Sequence, residues 1–202
     1  NQKKINLPVS ILNLGGIANI TLISDQNKMF SSDIGPGNCL IDKWIKLNLK
    51  KNYDEDGKIA QSGKVNKIIL DQALDNFYNN DISNNRSYDI KDFDLSFVRG
   101  LSLEDGAATL TDYTSEILSK KISDGLTFLC GGGRKNKFLV KNIKEKTKGK
   151  IKLIDDLGID GDFIESQAFA YLAIRSYLKL PISFPETTGC SIPCSGGVII
   201  KS

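Results

Sequence analysis

The chain has 202 residues, and no histidine is among them. Ser-His-Asp triads, Cys-His pairs and imidazole zinc sites are therefore excluded within it, and a base that acts here must be another side chain. Long apolar runs are also absent, since none approaches the ~18 residues of a membrane-spanning helix. The N-terminal residues lack the charged segment and apolar core of a signal peptide.

A large excess of one charge is absent too. The chain carries 27 lysine and arginine residues against 24 aspartate and glutamate residues, which gives a net charge of +3. So small an excess indicates neither nucleic acid nor a membrane surface as a partner. The four cysteines form no CxxC motif and are predicted to be reduced thiols of a cytoplasmic protein. They are Cys39, Cys130, Cys190 and Cys194.

The first residues of the chain bear on its origin. The chain begins with Asn1, and its one methionine is Met29. A start methionine is usually removed only before a small residue, and asparagine is not small. We therefore expect the chain to be a piece of a longer polypeptide.

The apolar pattern predicts strands and helices in a definite order. Three short runs at Val9–Leu14, 17–24 and 29–33, separated by tight turns, predict an antiparallel meander. A helical section follows, with Asn38 as the expected cap of its first helix and Ser102 as the cap of its longest. The rest of the chain predicts strand, helix, strand, a markedly apolar helix and a last short strand. These segments lie at 126–130, 136–146, 151–154, 163–178 and 196–201.

This order predicts an α/β fold, in which a three-stranded meander and following βαβ units form one mixed sheet with helices on its faces. It is the element order of a ribonuclease-H-like half-domain. We interpret residues 1–202 as one such domain, with a helical insertion at about 40–123.

Glycine-rich turns follow three of the predicted strands. At a strand end, glycine lets the backbone approach a phosphate or a purine, and unpaired N–H groups favour an anion. One such turn alone is more often a simple tight turn, but three at equivalent positions favour a ligand site. None fits the Walker A or GxGxxG pattern, which disfavours a P-loop and a dinucleotide site. The turns are Gly15-Gly16, Gly35-Pro36-Gly37 and Gly131-Gly132-Gly133.

Carboxylates lie close to these turns. Asp33 ends a strand before the second turn, where it either holds Mg²⁺ or a sugar hydroxyl or stabilises the turn itself. Asp160 and Asp162 open the apolar helix, a position that acidic groups favour for structural reasons alone. Glu165 lies one turn inside that helix, where a buried carboxylate is costly without a partner. Glu165 is therefore the better functional candidate.

Five blocks of sequence together carry a resemblance to a known family. LNLGGIANIT, from residue 12, resembles the phosphate-binding hairpin of actin/hexokinase-like ATPases, and CGGGRKN, from residue 130, resembles their adenosine-binding turn. Together with DIGPGNCLID, EDGAATLT and GIDGDFIESQAFAYLA, these blocks resemble the anhydro-N-acetylmuramic acid kinase family, in that family's order and from about residue 10 to the C-terminus.

The resemblance implies an ATP- and Mg²⁺-dependent sugar kinase of peptidoglycan recycling. Such enzymes use water to open 1,6-anhydro-N-acetylmuramic acid while they phosphorylate its 6-oxygen, which yields N-acetylmuramic acid 6-phosphate. They are typically homodimers, and each subunit has two ribonuclease-H-like domains around a cleft. The chain resembles the C-terminal half, so we expect the N-terminal half, with the general base, to be a missing partner. Alone, the chain is expected to have little or no kinase activity.

The family motifs also imply roles for single residues. They place the nucleotide at Gly15, Gly16, Asn19, Gly131, Gly132, Gly133 and Asn136, and the substrate or Mg²⁺ side at Asp33, Gly35, Gly37, Asn38 and Glu165. No catalytic base is assigned to this chain, and the metal ligands stay open. Relatives have a PPKS-like segment where this chain has Asn84-Asn85-Arg86-Ser87, which keeps a positive charge but not the prolines.

Two other functions are compatible with the sequence. One is a non-catalytic nucleotide-binding module. The other is a different enzyme of the same superfamily, such as another sugar kinase or an acetate kinase-like protein. ATP turnover separates the first from an enzyme, and a substrate panel separates the kinases from one another.

Overall fold

A computed structural model describes residues 5–25, 28–80, 87–198 and 200. It contains a mixed sheet of five strands, which are β1 Val9–Leu14, β2 Ile17–Asp25, β3 Lys28–Pro36, β4 Leu126–Cys130 and β5 Lys150–Leu153. Their order across the sheet is β3-β2-β1-β4-β5. The first three strands form the predicted antiparallel meander, and β4 and β5 run parallel to β1.

The five longer helices fall where the apolar spacing predicts them, within a few residues, whereas the short helices at Lys58–Ser62 and Pro185–Thr188 were not predicted. Four lie between β3 and β4 in the described part of the chain, one lies between β4 and β5, and two follow β5. They are α1 Cys39–Asn48, α2 Lys58–Ser62, α3 Lys67–Asn80, α4 Leu103–Lys121, α5 Lys137–Lys146, α6 Ile164–Tyr177 and α7 Pro185–Thr188.

One face of the sheet carries the main core. Alternation along β1 places Leu12 and Leu14 on this face, where both are fully buried. They join a cluster that includes Trp44 of α1, Ile117 of α4 and Leu139 of α5. The helices between β3 and β4, and α5 after β4, therefore share one apolar layer against the sheet.

The helix caps agree only in part with the prediction. Ser102 Oγ accepts a hydrogen bond from the Asp105 N–H at 3.1 Å, as expected for α4. The Asp105 carboxylate accepts a hydrogen bond from the Lys64 N–H at 2.8 Å, which connects the segment after α2 to the start of α4. The cap predicted at Asn38 is wrong, because Asn38 precedes α1 without a side-chain cap hydrogen bond.

The second face of the sheet is covered by a smaller cluster. Val9, Phe128 and Cys130 lie there with Ile154, and Ile164 at the start of α6 packs against them. The rest of α6 behaves differently, because the helix has no buried residue although its sequence is markedly apolar. Apolar composition predicted the helix correctly but not its exposure.

The end of the chain departs from the predicted strand at 196–201. Residues 196–198 and 200 form no strand, and residues 199 and 201 lie outside the described residues. Ser183 and Cys194 form an isolated antiparallel bridge instead, and α7 packs against β3. None of the four cysteines forms a disulfide in this structure, and their reduced state stays a prediction. Within the described ranges, no helix combines the length and apolar character needed to cross a membrane.

Candidate functional site

The first and third glycine turns lie side by side at one edge of the sheet. They do so because β1 and β4 are parallel neighbours, with Asn13 paired to Cys130 at the point where both strands end. A hollow of about 270 Å³ opens between the two turns and the start of α6, and we call it the glycine hollow. Its lining consists of Asn13, Gly15, Gly16, Gly131, Gly132, Gly161, Asp162, Ile164 and Glu165.

The third turn requires glycine at two positions but not at the one between them. Gly131 has a φ of 78°, and a Cβ there would overlap the Asn13 side chain. A Cβ at Gly133 would stand 2.6 Å from Asn38 Nδ2 and 2.8 Å from Leu14 Cβ. A Cβ at Gly132 would meet no heavy atom within 4 Å. The backbone at Gly132 therefore faces open space that a ligand can enter.

The second turn lies behind the first and does not line the hollow. The Gly37 N–H donates to the Gly16 carbonyl at 2.9 Å, and the Asn38 N–H donates to the Gly15 carbonyl at 2.8 Å. A Cβ at Gly37 would collide with the Gly15 carbonyl oxygen. Gly35, with a φ of 150°, lies against Ile117 of α4. The second turn thus fixes the position of the first, and the expected convergence of all three turns is seen for two.

Glu165 reaches the hollow from the first turn of α6. The Asn13 amide donates to Glu165 Oε1 at 3.5 Å, which links β1 to α6 across the hollow. The expectation that Glu165 is buried is wrong, because the residue is exposed. It lies with the glycines of the first and third turns rather than with Asp33 and the second turn, and its role on the substrate or Mg²⁺ side stays a prediction.

Asn13 is a lining residue that the sequence analysis missed. It stands between Leu12 and Leu14, so its side chain points to the opposite face of the sheet from theirs. Its Oδ1 lies 3.8 Å from Cys130 Sγ, and burial raises the pKa of that thiol to about 11. The one signal was a polar residue inside an apolar strand directly before the glycines.

Asn19 and Asp33 lie beside Asn13 in the sheet but outside the hollow. Asn13 pairs with Asn19, and Asn19 pairs with Asp33, in a row across β1, β2 and β3. Asp33 Oδ2 accepts from the Tyr88 N–H at 2.9 Å, and the residue lines a separate cavity of about 200 Å³ next to α7. Asp33 therefore attaches the segment at Tyr88 to β3, and its site role stays a prediction.

Arg134 joins the third turn to the start of α6. Its side chain is only 6% exposed and pairs with Asp155 through Nε at 2.9 Å and Nη2 at 3.0 Å. Its Nη1 donates to Asp162 Oδ1 at 2.7 Å and to the Gly131 carbonyl at 3.1 Å. A guanidinium with this many charge-assisted bonds holds its partners in fixed positions. Both walls of the hollow are therefore attached to one side chain.

This network explains the acidic cluster near residue 160. The hydrogen bonds from Arg134 lower the pKa of Asp155 to about 2. Hydrogen bonds from Lys135, at 2.6 Å, and from Arg134 also lower the pKa of Asp162. Asp162 is thus an ionised and already paired carboxylate, in contrast to Glu165, which contacts only the Asn13 amide in the hydrogen bonds of the described residues.

A second cavity, of about 450 Å³, lies on the other side of the third turn. Gly132 lines both spaces, so the turn forms the partition between them. We call this space the acidic cavity. It is lined by Asn38, Asp42, Tyr53, Asp54, Glu55, Asp56, Gly132, Gly133, Lys135 and Asn136. Asn136 also caps α5, because its Oδ1 accepts from the Leu139 N–H at 3.0 Å.

The glycine hollow has few ligands for a metal ion. Among the described residues, no group of three or more histidine, cysteine or acidic side chains is placed to hold one. The hollow offers two carboxylates, Asp162 and Glu165. Mg²⁺ commonly takes one or two carboxylates and completes its shell with water and phosphate oxygens. The residues present therefore fit Mg²⁺ as the companion of a bound phosphate.

The predicted site residues thus divide into three groups. Gly15, Gly16, Gly131, Gly132 and Glu165 line the glycine hollow, and Asn38, Gly132, Gly133 and Asn136 line the acidic cavity. Asn19, Asp33, Gly35 and Gly37 line neither space. Arg86 and its neighbours at 84 and 85 lie outside the described residues.

Comparisons with known proteins point to one family. The family model described as "Anhydro-N-acetylmuramic acid kinase" matches residues 3–202. The curated relative of that name from Pelagibacter ubique is 51% identical, over 100% of this chain and 57% of its own length. Relatives of the same name from Zymomonas mobilis and Caulobacter vibrioides are each 40% identical, over 95% and 96% of this chain and 54% and 53% of their own lengths. The chain spans about half the length of the curated relatives it matches.

A solved structure gives a weaker match. It is the activator of the 2-hydroxyisocaproyl-CoA dehydratase from Clostridium difficile with bound ADPNP, at a TM-score of 0.47 and 13% identity over 79% of this chain and 57% of that one. This likeness is too low to carry an argument. The matches do not support the expected C-terminal position of the chain, its missing N-terminal partner or a homodimer, and they do not support the two alternative functions.

Proposed function

Because this chain belongs to the anhydro-N-acetylmuramic acid kinase family, we propose that it is the nucleotide-binding part of an ATP-dependent sugar kinase. The reaction is the phosphorylation of 1,6-anhydro-N-acetylmuramic acid at its 6-oxygen, with hydrolytic opening of the anhydro ring to N-acetylmuramic acid 6-phosphate. The observation that carries the proposal is the glycine hollow, which two strand-terminating turns form at one sheet edge.

The hollow is suited to a chain of phosphates. Gly15, Gly16, Gly131 and Gly132 present backbone without side chains to the same space, and backbone N–H groups in such turns bind anions. Phosphoryl transfer depends mainly on positioning and on the stabilisation of negative charge. The two turns supply positioning from rigid strand ends, and the second turn supports the first from behind through the Gly37 and Asn38 amides.

The carboxylates of the hollow require a cation if phosphates enter it. Asp162 is already paired with Arg134 and Lys135, so Glu165 is the carboxylate that faces the ligand. When bound with the nucleotide, Mg²⁺ offsets the charge of the phosphates. In this proposal Glu165 contacts either that cation or the sugar, and the Asn13 amide orients it.

The fold supports the same assignment. In this proposal the meander and the parallel strands that follow it, in the order β3-β2-β1-β4-β5, form a ribonuclease-H-like domain. The helices α1 to α4 between β3 and β4 would be the insertion of that domain. In this proposal the roles of Asn19, Asp33, Gly35 and Gly37 are indirect, because they support the first turn and the sheet behind it.

A matched pair of glycine variants tests nucleotide binding at the hollow. Gly132→Ala adds a methyl group where no heavy atom lies within 4 Å, so the fold tolerates it while the ligand space shrinks. Gly125→Ala is the control, since its added Cβ would lie 3.7 Å from Ser123 Oγ and away from the site. We expect Gly132→Ala to weaken ATP binding about tenfold or more, or about 1.4 kcal/mol, at an unchanged Tm.

Gly125→Ala should change neither quantity. Two results contradict the proposal: a Gly132→Ala variant that binds ATP as tightly as the parent chain, and a parent chain that binds no ATP at all. Calorimetric titration gives the affinity, and thermal unfolding without nucleotide gives the Tm.

A second experiment tests the substrate class. The purified chain is incubated with Mg²⁺-ATP and 1,6-anhydro-N-acetylmuramic acid, other amino sugars or acetate. We expect little or no product from the chain alone, since no general base is assigned to it. Robust phosphorylation of acetate or of an unrelated sugar contradicts the proposed substrate.

A further inference from the structure

The acidic cavity is joined to the glycine hollow through the third turn. Gly132 lines both spaces, and Gly133 continues the wall on the cavity side. If the phosphates of a ligand occupy the glycine hollow, the chemical group attached to them therefore extends past Gly132 into the acidic cavity. In a nucleoside triphosphate that group is the ribose.

The charges of the cavity favour the uncharged end of such a ligand. Asp42, Asp54, Glu55 and Asp56 line it, against one cation, Lys135, among the lining residues. Lys135 is itself paired with Asp162 at 2.6 Å. A phosphate is repelled by this wall, whereas hydroxyl and amino groups donate hydrogen bonds to it.

Most of these carboxylates already have partners. Asp54 accepts from the Ile59 and Ala60 N–H groups, each at 2.9 Å, and so caps α2. Asp56 pairs with Lys137 at 3.2 Å and Lys58 at 3.5 Å. Glu55 is exposed, so water solvates it.

Asp42 is the exception. It lies in the first turn of α1 and is half-buried, and its carboxylate has no hydrogen bond or ion pair within the part of the chain that the structure describes. Burial raises the pKa of Asp42 to about 6; the charge of Lys46 opposes this and that of Asp54 adds to it. A desolvated acceptor without a partner destabilises a fold, and a ligand that donates hydrogen bonds removes this cost.

Resting on the proposed function, we propose that Asp42 recognises the ribose of the bound nucleotide by accepting hydrogen bonds from its hydroxyl groups. The hydroxyls are the first donors beyond the phosphates, and Asp42 is a half-buried carboxylate without a partner among the described residues, in the cavity that the third turn opens into. Hydrogen bonds to a carboxylate are stronger than those between neutral groups. Asp42 therefore contributes to affinity and discriminates against ligands that lack the diol.

The experiment measures the affinity of ATP and of 2′,3′-dideoxy-ATP, which lacks both hydroxyls, for three chains. These are the parent chain, Asp42→Asn and the control Glu55→Gln, which removes an exposed charge from the same cavity. We expect the parent and Glu55→Gln to prefer ATP about tenfold. Asp42→Asn should lose most of that preference, so that its two affinities agree within about twofold.

Thermal stability provides a second readout, because Asp42→Asn should raise the Tm while it lowers the affinity for ATP. Asp42→Asn removes an unpaired half-buried charge, so we expect its Tm without nucleotide to rise by about 2–4 °C, while ATP affinity falls. Substitution of a residue with only a structural role would lower both the Tm and the ATP affinity. A lower Tm for Asp42→Asn therefore contradicts the account of Asp42 as an acceptor without a partner.

The remaining outcomes separate this inference from the proposed function. If the parent chain binds ATP but binds dideoxy-ATP equally well, ribose recognition is wrong and nucleotide binding stands. If Asp42→Asn keeps the parent's preference for ATP, the diol is recognised by another residue and the inference is again wrong. If the parent chain binds neither nucleotide, the proposed function is wrong and the inference falls with it.

Discussion

In the part of the chain that the structure describes, every buried apolar side chain lies within residues 9–163, around one sheet, whereas none of residues 164–198 is buried. The contrast is clearest in two isoleucines on helices. Ile117 of α4 is fully buried behind Gly35, while Ile174 of α6 is 60% exposed. Both helices are rich in apolar or small residues, so composition does not explain the difference. What differs is the presence of a packed neighbour, because α4 lies between the sheet and the other helices.

The candidate site stands at the boundary between these two regions. The two glycine turns belong to the packed region, and Glu165 reaches them from the first turn of the exposed one. Arg134 connects the two regions through Asp155 and Asp162. The rigid wall of the site therefore comes from the packed sheet, and the other wall is attached to it by the buried Arg134 together with Lys135 and Asn13.

Truncation of the two isoleucines gives the largest expected difference. Ile117→Ala removes buried methyl groups from the main core and should cost about 3–4 kcal/mol of unfolding free energy. Ile174→Ala, its match on α6, should change that free energy by no more than about 0.5 kcal/mol. Urea unfolding of both variants measures the two values. Similar losses in the two variants contradict the division of the chain into packed and exposed regions.

Replacement of Arg134 tests the connection between the regions. Arg134→Met leaves Asp155 without its partner and Asp162 with Lys135 alone, and should cost about 2–3 kcal/mol, less than for fully buried pairs because the carboxylates are partly solvated. Amide hydrogen exchange at residues 155–165 should accelerate more than elsewhere. Arg175→Met is the control, since Arg175 bonds to the Pro181 carbonyl within the exposed region. If both variants lose the same unfolding free energy, Arg134 has no special role in connecting the two regions.

The ion pair of Arg134 also predicts a smaller effect of pH. Its hydrogen bonds lower the pKa of Asp155 from 3.8 to about 2, so the stabilisation is complete above about pH 4 and is lost as the pH falls through about 2. Because the Asp155 side chain is 41% exposed, we expect Asp155→Asn to lose only about 1 kcal/mol at neutral pH. Urea unfolding should show this difference shrink steadily as the pH falls from about 4 to about 2, where the folded-state carboxylate is half protonated. A difference that stays constant over this range contradicts the ion-pair account.

The sequence predicted the parts of the fold that local patterns determine. The apolar runs at Val9–Leu14 and Leu126–Cys130, with the glycines after each, predicted the strands and turns that form the site. The parallel pairing of β1 with β4 was not predicted, because it joins two segments that are far apart in the chain. Local sequence failed at α6 and at 196–198, because burial and strand pairing depend on neighbours far away in the chain.

The site was predictable only in part for the same reason. The glycines and Glu165 were found, because each stands in a motif. Asn13 was missed because its importance comes from the parallel partner Cys130, and Arg134 was missed because its partners lie 21 and 28 residues away. The second turn was expected at the ligand but supports the first turn instead, which becomes visible only through the Gly37 contact with the Gly15 carbonyl.

Nucleotide binding at the glycine hollow can be followed by the NMR signals of the glycine amides while Mg²⁺-ATP is added to the chain. We expect the amides of Gly15, Gly16, Gly131 and Gly132 to shift together at one dissociation constant, while those of Gly189 and Gly197 in the exposed region stay in place. Nucleotide binding that leaves those four amides unshifted and perturbs another surface would contradict this expectation.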